Sequence, residues 1–158
     1  MRVPGDLARR LEGLAAIHVA TRDAALVADE VMASAAVLSE DGGTLTVYLP
    51  DATSATSLAN LRGNGAIAVV LSEPLTHRTV QLKGSADGIR PAREEEREAV
   101  LRHAASFDAQ VEAIGLPPAV VRRRAKWPCH AVTFAIAGAW EQTPGPHAGE
   151  PLAPEDGR

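Results

Sequence analysis

Aromatic side chains are scarce in this 158-residue chain: two Trp, two Phe and one Tyr make up 3% of it. A core without them has to be assembled from Ala, Val, Leu and Ile, which bury less area apiece. That shortfall makes a second subunit an expected source of further burial. Cysteine is also scarce. Cys129 stands alone, which excludes an internal disulfide and a cysteine metal cluster. Positive charge is not in excess: the formal net charge is -4, whereas general nucleic-acid or anionic-membrane binding needs a broad positive field. No window approaches the roughly 18 apolar residues of a membrane span. The opening MRVPGDLARRLEGL carries charges throughout and no apolar stretch, so it does not read as a secretory signal. The expectation is a globular cytoplasmic protein in a reducing compartment, with neither nucleic acid nor membrane as partner.

Several catalytic signatures are missing as well. The five histidines, at 18, 77, 103, 130 and 147, form no i, i+4 pair and no carboxylate-plus-histidine zinc motif. No G-x-S-x-G, Walker or G-x-G-x-x-G pattern occurs, and Gly63-Asn64-Gly65 is too short for a phosphate loop. Arg122-Arg123-Arg124 with Lys126 is the one basic cluster, placed where cations suit a helix C-terminus.

What the chain does have is a run of strand patterns. Asp6–Leu14 reads as a capped helix, with Leu7, Leu11 and Leu14 on one face. Ala15–Thr21 and Val31–Leu38 read as strands, and Thr44–Leu49 pairs with the second through the Asp41-Gly42-Gly43 turn. Thr53 or Ser54 caps a short helix through Arg62 that Gly63 stops, with Leu58 and Leu61 turned inward. Ala66–Leu71 suits a strand buried on both faces, and Thr76–Ala86 alternates Val80 and Leu82 against Thr79, Gln81 and Lys83.

Pro91 and Glu94-Glu95-Glu96 then open a helix, with Val100, Ala104, Phe107, Val111 and Ile114 at helical spacing. Pro117-Pro118 opens a shorter one, and Ala131–Trp140 is a last strand. From Thr143 the chain is rich in Pro and Gly and reads as an extended or disordered tail. The organisation is thus one domain over 1–142 and a tail over 143–158. Five or six mostly antiparallel strands with inserted helices imply a closed or half-closed β-barrel with peripheral helices, mainly β in class.

The segments TLTVYLP, SLANLRGNGAIAVVL and THRTVQLKG, in that order and spacing, resemble the pyridoxamine 5'-phosphate oxidase-like FMN-binding split barrels, in particular a small bacterial branch of them. Leu61, Asn64, Gly65 and Ala68 match an L-x-x-N-P/G-x-A segment; Arg78, Val80 and Gly84 match an R-x-V-x-x-x-G strand. EQTPGPHAGEPL resembles that branch's closing segment, so the likeness runs from about Ala15 to Leu152.

The resemblance implies a split-barrel homodimer with FMN in grooves between subunits, and an oxidoreductase using a nicotinamide reductant or small-molecule substrate. It places the flavin phosphate at Ser54-Ala55-Thr56-Ser57, where Thr56 and Ser57 replace the expected Arg and Lys. Helix N–H groups and hydroxyls are then left to hold the anion. Arg78 would serve phosphate or substrate, Thr79 or Gln81 the polar edge of the flavin ring, and Trp140 or Gln142 the groove wall. No general acid or base is nominated, since the redox chemistry would belong to the cofactor. Two other readings stay open at this point. One is a cofactor-free dimeric binding or scaffold protein that kept the fold; the other is a relative taking a deazaflavin or haem.

Overall fold

The computed structural model describes residues 1–3 and 16–153, so the expected helix at Asp6–Leu14 lies outside the described residues. Seven strands form one antiparallel sheet. They are β1 Ala16–Arg22, β2 Ala28–Met32, β3 Ala35–Leu38, β4 Thr44–Pro50, β5 Ala66–Ser72, β6 Thr79–Pro91 and β7 Cys129–Glu141. Their order across the sheet is β2-β1-β5-β6-β7-β4-β3.

The two edge strands are consecutive in sequence, and this forces the sheet to curl. In a flat sheet six strand spacings would separate β2 from β3 by roughly 29 Å. The chain from Met32 to Ala35 reaches only about 11 Å. The corner between them already serves both sides: Ala33 N–H donates to Ile17 O on β1, and Ser34 N–H to Tyr48 O on β4, each at 2.8 Å. The expected single strand Val31–Leu38 is therefore two strands with a corner at Ala33-Ser34. The barrel reading of the strand pattern stands, with seven strands where five or six were expected.

The barrel interior is aliphatic, as the lack of aromatics requires. Ile17, Val19, Leu45, Val47, Leu49, Val69, Leu82, Val132 and Ile136 are buried around Phe134. Strand β5 alternates buried Ile67, Val69 and Leu71 with half-buried Ala66, Ala68, Val70 and Ser72, so only one of its faces is core. Helix α1, Ala55–Asn64, caps one end of the barrel through Leu58 and Leu61. It ends two residues later than expected, at Gly65 (φ 70°), whose N–H donates to Leu61 O at 2.9 Å. A left-handed residue there suits glycine, and a Cβ would also stand 2.8 Å from Ser85 Oγ.

Pro91 closes strand β6 rather than opening a helix. Glu94–Glu96 form a 3-10 turn, followed by α2, Arg97–Ala113, and the short α3, Pro118–Val121. Val100, His103, Ala104, Phe107 and Val111 form the buried side of α2, while Ile114 falls beyond it and is 52% exposed. The helix is anchored by Glu96: Arg90 donates to both carboxylate oxygens at 2.7 and 2.6 Å, Arg93 N–H donates at 2.7 Å and Tyr48 Oη at 3.0 Å. After β7 the chain turns back. Glu141 N–H donates to Glu150 O and Leu152 N–H to Ala139 O, both at 2.9 Å, and Leu152 packs against the core.

Candidate cofactor site

Two groups of polar residues stood out in the sequence, and α1 carries the first. Ser54 precedes the helix and accepts its first bond, from Leu58 N–H at 2.8 Å. Ser54 is wholly buried and its Oγ has no hydrogen-bond partner. Ser57 is also wholly buried, and its Oγ donates to Asp29 Oδ2 on β2 at 2.6 Å. One turn on, Asn60 Nδ2 donates to Thr21 Oγ1 at 3.1 Å. Those three residues face the sheet; Thr53 and Thr56 face outward and are exposed.

The second group lies where β6 begins and β7 ends. Arg78 is exposed, directly after His77 at φ 57°. Thr79 N–H donates to Thr143 Oγ1 at 3.0 Å, Gln142 N–H donates to Thr79 O at 2.8 Å, and the Thr79 and Ser72 hydroxyls bond at 2.8 Å. Gln81 stands in register between Val70 of β5 and Trp140 of β7. The row continues through His18 to Met32, so one line of half-exposed side chains crosses five strands.

The Trp140 indole lies over Gly138, where a Cβ would meet Cη2 at 2.5 Å, and Lys83 Nζ sits 4.8 Å from the ring centroid. Lys83, Gly138 and Asp29 were not singled out in the sequence. The alternation Thr79, Gln81, Lys83 already put Lys83 on that face, whereas nothing local marks Asp29.

The chain does not bring the two groups together. Ser72, at one end of β5, pairs with Thr79; Ala66, at the other, follows α1. Six residue steps separate these ends by about 20 Å.

Their chemistry differs too. Around Gln81 and Trp140 the outer face carries an amide, an indole laid against Gly138 and a cation over that ring. The α1 entrance fits a phosphate poorly. No Lys or Arg occurs between Pro50 and Leu61, the basic residue of α1 is Arg62 in its last turn, and the Asp29 carboxylate adjoins the first turn.

Displaced pKa values lie elsewhere: Asp41 is lowered by the Ser39 hydroxyl in the β3–β4 turn, and the others lie around the base of α2. Arg90 above all holds Glu96 at about 2. Burial, then Glu96, pushes Tyr48 up to about 12. Burial pushes Cys129 up to about 11, and its thiol donates to Lys126 O at 2.9 Å. A thiol so raised is inert as a nucleophile at neutral pH. Among the described residues no group of three or more His, Cys, Asp or Glu is placed to hold a metal. None of the described helices is long and apolar enough to cross a membrane.

No protein-family model matches the chain, and no curated protein matches it. Solved structures do. HupZ of Group A Streptococcus superimposes with a TM-score of 0.58 at 14% identity, covering 93% of this chain and 99% of that one. An F420 reductase gives 0.56 at 19% identity, covering 87% and 98%. An FMN-binding protein related to pyridoxamine 5'-phosphate oxidase, from Nostoc punctiforme, gives 0.51 at 11% identity, covering 95% and 96%. The chain has the pyridoxamine 5'-phosphate oxidase-like FMN-binding split-barrel fold.

Proposed function

We propose that this protein binds a flavin-type cofactor through its ring, on the outer face of β5, β6 and β7, and serves as an oxidoreductase. The observation that carries the reading is the Gln81–Trp140 pair with Lys83 against the indole. It supplies an amide, an indole edge and a positive charge on one half-exposed patch. Thr79, Gln142 and Arg78 extend that patch at the top of β6. A bound flavin would supply hydride transfer; the residues named here bind and orient its ring.

The working form is a homodimer. In one chain the α1 entrance with Ser54, Thr56 and Ser57 lies toward one end of β5 and Thr79 at the other, with Gln81 and Lys83 paired to its middle at Val70 and Ala68, and a second copy would close the groove along them. Ser54 and Ser57 shape that entrance from beneath, and Thr56 presents its hydroxyl on the surface. The small side chains of Ala20, Ala66 and Ala68 on the outer face would let another subunit approach closely.

One observation favours a second reading. The α1 entrance lacks a cation and has Asp29 nearby, as expected of a binding or scaffold protein that has kept the fold without the cofactor. The F420 reductase likeness keeps a deazaflavin ring in play at the same patch. A flavin titration followed by fluorescence separates these readings. Replacing Gln81 and Trp140 together by Ala lowers flavin affinity at least about tenfold, the loss expected from one indole contact and one hydrogen bond. An affinity unchanged by that double substitution removes the patch from the site.

A further inference from the structure

The first turn of α1 is the part of the fold that least suits the cofactor implied by the resemblance. Its N–H groups at Ala55, Thr56 and Ser57 precede the first helical bond, which Leu58 N–H donates to Ser54 O. A helix start of this kind attracts anions. Here it faces a different neighbour. Asp29 enters from β2, accepts from Ser57 Oγ at 2.6 Å and takes the hydroxyl that an anion at the helix start would need. The adjoining Ser54 is wholly buried with an Oγ that has no partner, so a second negative charge brought against it would be desolvated with no cation to offset it.

We infer that the α1 entrance selects the uncharged form of the flavin tail, so that this chain takes a phosphate-free flavin, riboflavin in chemical terms, in preference to FMN. The inference rests on the flavin reading above. Asp29 is half-exposed, and a phosphate on the first turn would lie within a Debye length of it, about 8 Å at physiological salt. The phosphate carries about -1.5 to -2 charges at neutral pH. No Lys or Arg between Pro50 and Leu61 offsets the repulsion. A ribityl chain ending in a hydroxyl brings no charge, and it can exchange a hydrogen bond with the exposed Thr56 hydroxyl.

The experiment compares riboflavin and FMN on the full chain and on Asp29→Asn, reading dissociation constants from flavin fluorescence at low and high salt. Asparagine keeps an oxygen to accept from Ser57 and removes the charge. Because the readout is a ratio of two ligands on one protein, a partly unfolded variant affects both arms alike.

The expected result is riboflavin bound at least about threefold more tightly than FMN by the unmodified chain at low salt, a gap that salt narrows by screening. In Asp29→Asn, FMN binding should tighten about tenfold, as removal of one nearby charge allows, with riboflavin unchanged within about twofold. FMN preferred over riboflavin by the unmodified chain, with Asp29→Asn without effect on the ratio, overturns the inference and leaves the flavin reading standing. Retention of neither flavin overturns the reading itself and the inference with it.

Discussion

The indole of Trp140 lies across Gly138, two residues earlier on the same strand, with Cη2 where a Cβ would come within 2.5 Å. The ring is therefore laid along the outer face of β7, beside Lys83, and the missing side chain is what allows it. Gly138→Ala should lift the indole from the strand. The expected outcome is a shifted Trp fluorescence spectrum and a flavin affinity at least about tenfold lower, with a modest stability loss of about 1 kcal/mol. An unshifted spectrum would show that the ring adapts without leaving its seat.

Glu96 makes stability depend on acid. Its folded pKa of about 2 lies below its ordinary value of 4.5, held there first by Arg90 and further by Arg93 N–H and Tyr48. A depressed carboxylate contributes stability that is present above the unfolded pKa and lost as pH falls toward the folded one. Urea midpoints of the unmodified chain and Glu96→Gln should therefore differ most above pH about 5 and converge between about 4.5 and 2. A constant difference across that range would contradict the anchor.

Gly84 is set by contact rather than by conformation. A Cβ there would stand 2.1 Å from Ala135 O and 2.6 Å from Phe134 Cδ2, beside a register shift between β6 and β7. The backbone oxygen cannot move aside without breaking the ladder. Gly84→Ala should cost about 3 kcal/mol or more of unfolding free energy, the upper range of overpacking. A loss under about 1 kcal/mol would mean that the bulge relaxes.

The turn-back after β7 predicts protection. With Glu141, Ala139 and Leu152 joined by backbone bonds and Leu152 packed on the core, limited proteolysis of the native protein should spare 143–152. Rapid trimming after Gln142 would show that the segment does not stay docked.

The parts of this fold that local chemistry dictates were legible in the sequence. The Asp41-Gly42-Gly43 turn and its flanking alternation announced the β3–β4 hairpin, and Glu73-Pro74 marked the break before β6. The corner at Ala33-Ser34 was not legible. VMASAAVL has neither glycine nor proline, and the bend is imposed by two partners, Ile17 and Tyr48, that only the closed sheet supplies. The second half of β6 was hidden for the opposite reason. Gly84 and Gly88 look like turn residues but flank register shifts within one strand, and Pro91 sits at a strand end with no ladder bond to donate.

At the candidate site, Gln81 and Trp140 could be named from alternation and position. The bonds that give Ser57 and Thr79 their partners span 28 and 64 residues and left no local trace. Asp29 is the clearest case: an acidic residue in an unremarkable stretch becomes the nearest charge to the α1 entrance only when β2 folds under the helix.

The direct test of flavin binding is an absorbance spectrum of the purified protein, repeated after incubation with riboflavin or FMN and desalting. The proposed flavin-binding dimer predicts that the near-ultraviolet and visible bands of oxidised flavin survive desalting at a stoichiometry near one per chain, with the protein eluting as a dimer. A colourless protein that retains neither flavin would contradict the proposal and leave the split barrel as a binding or scaffold protein for another ligand.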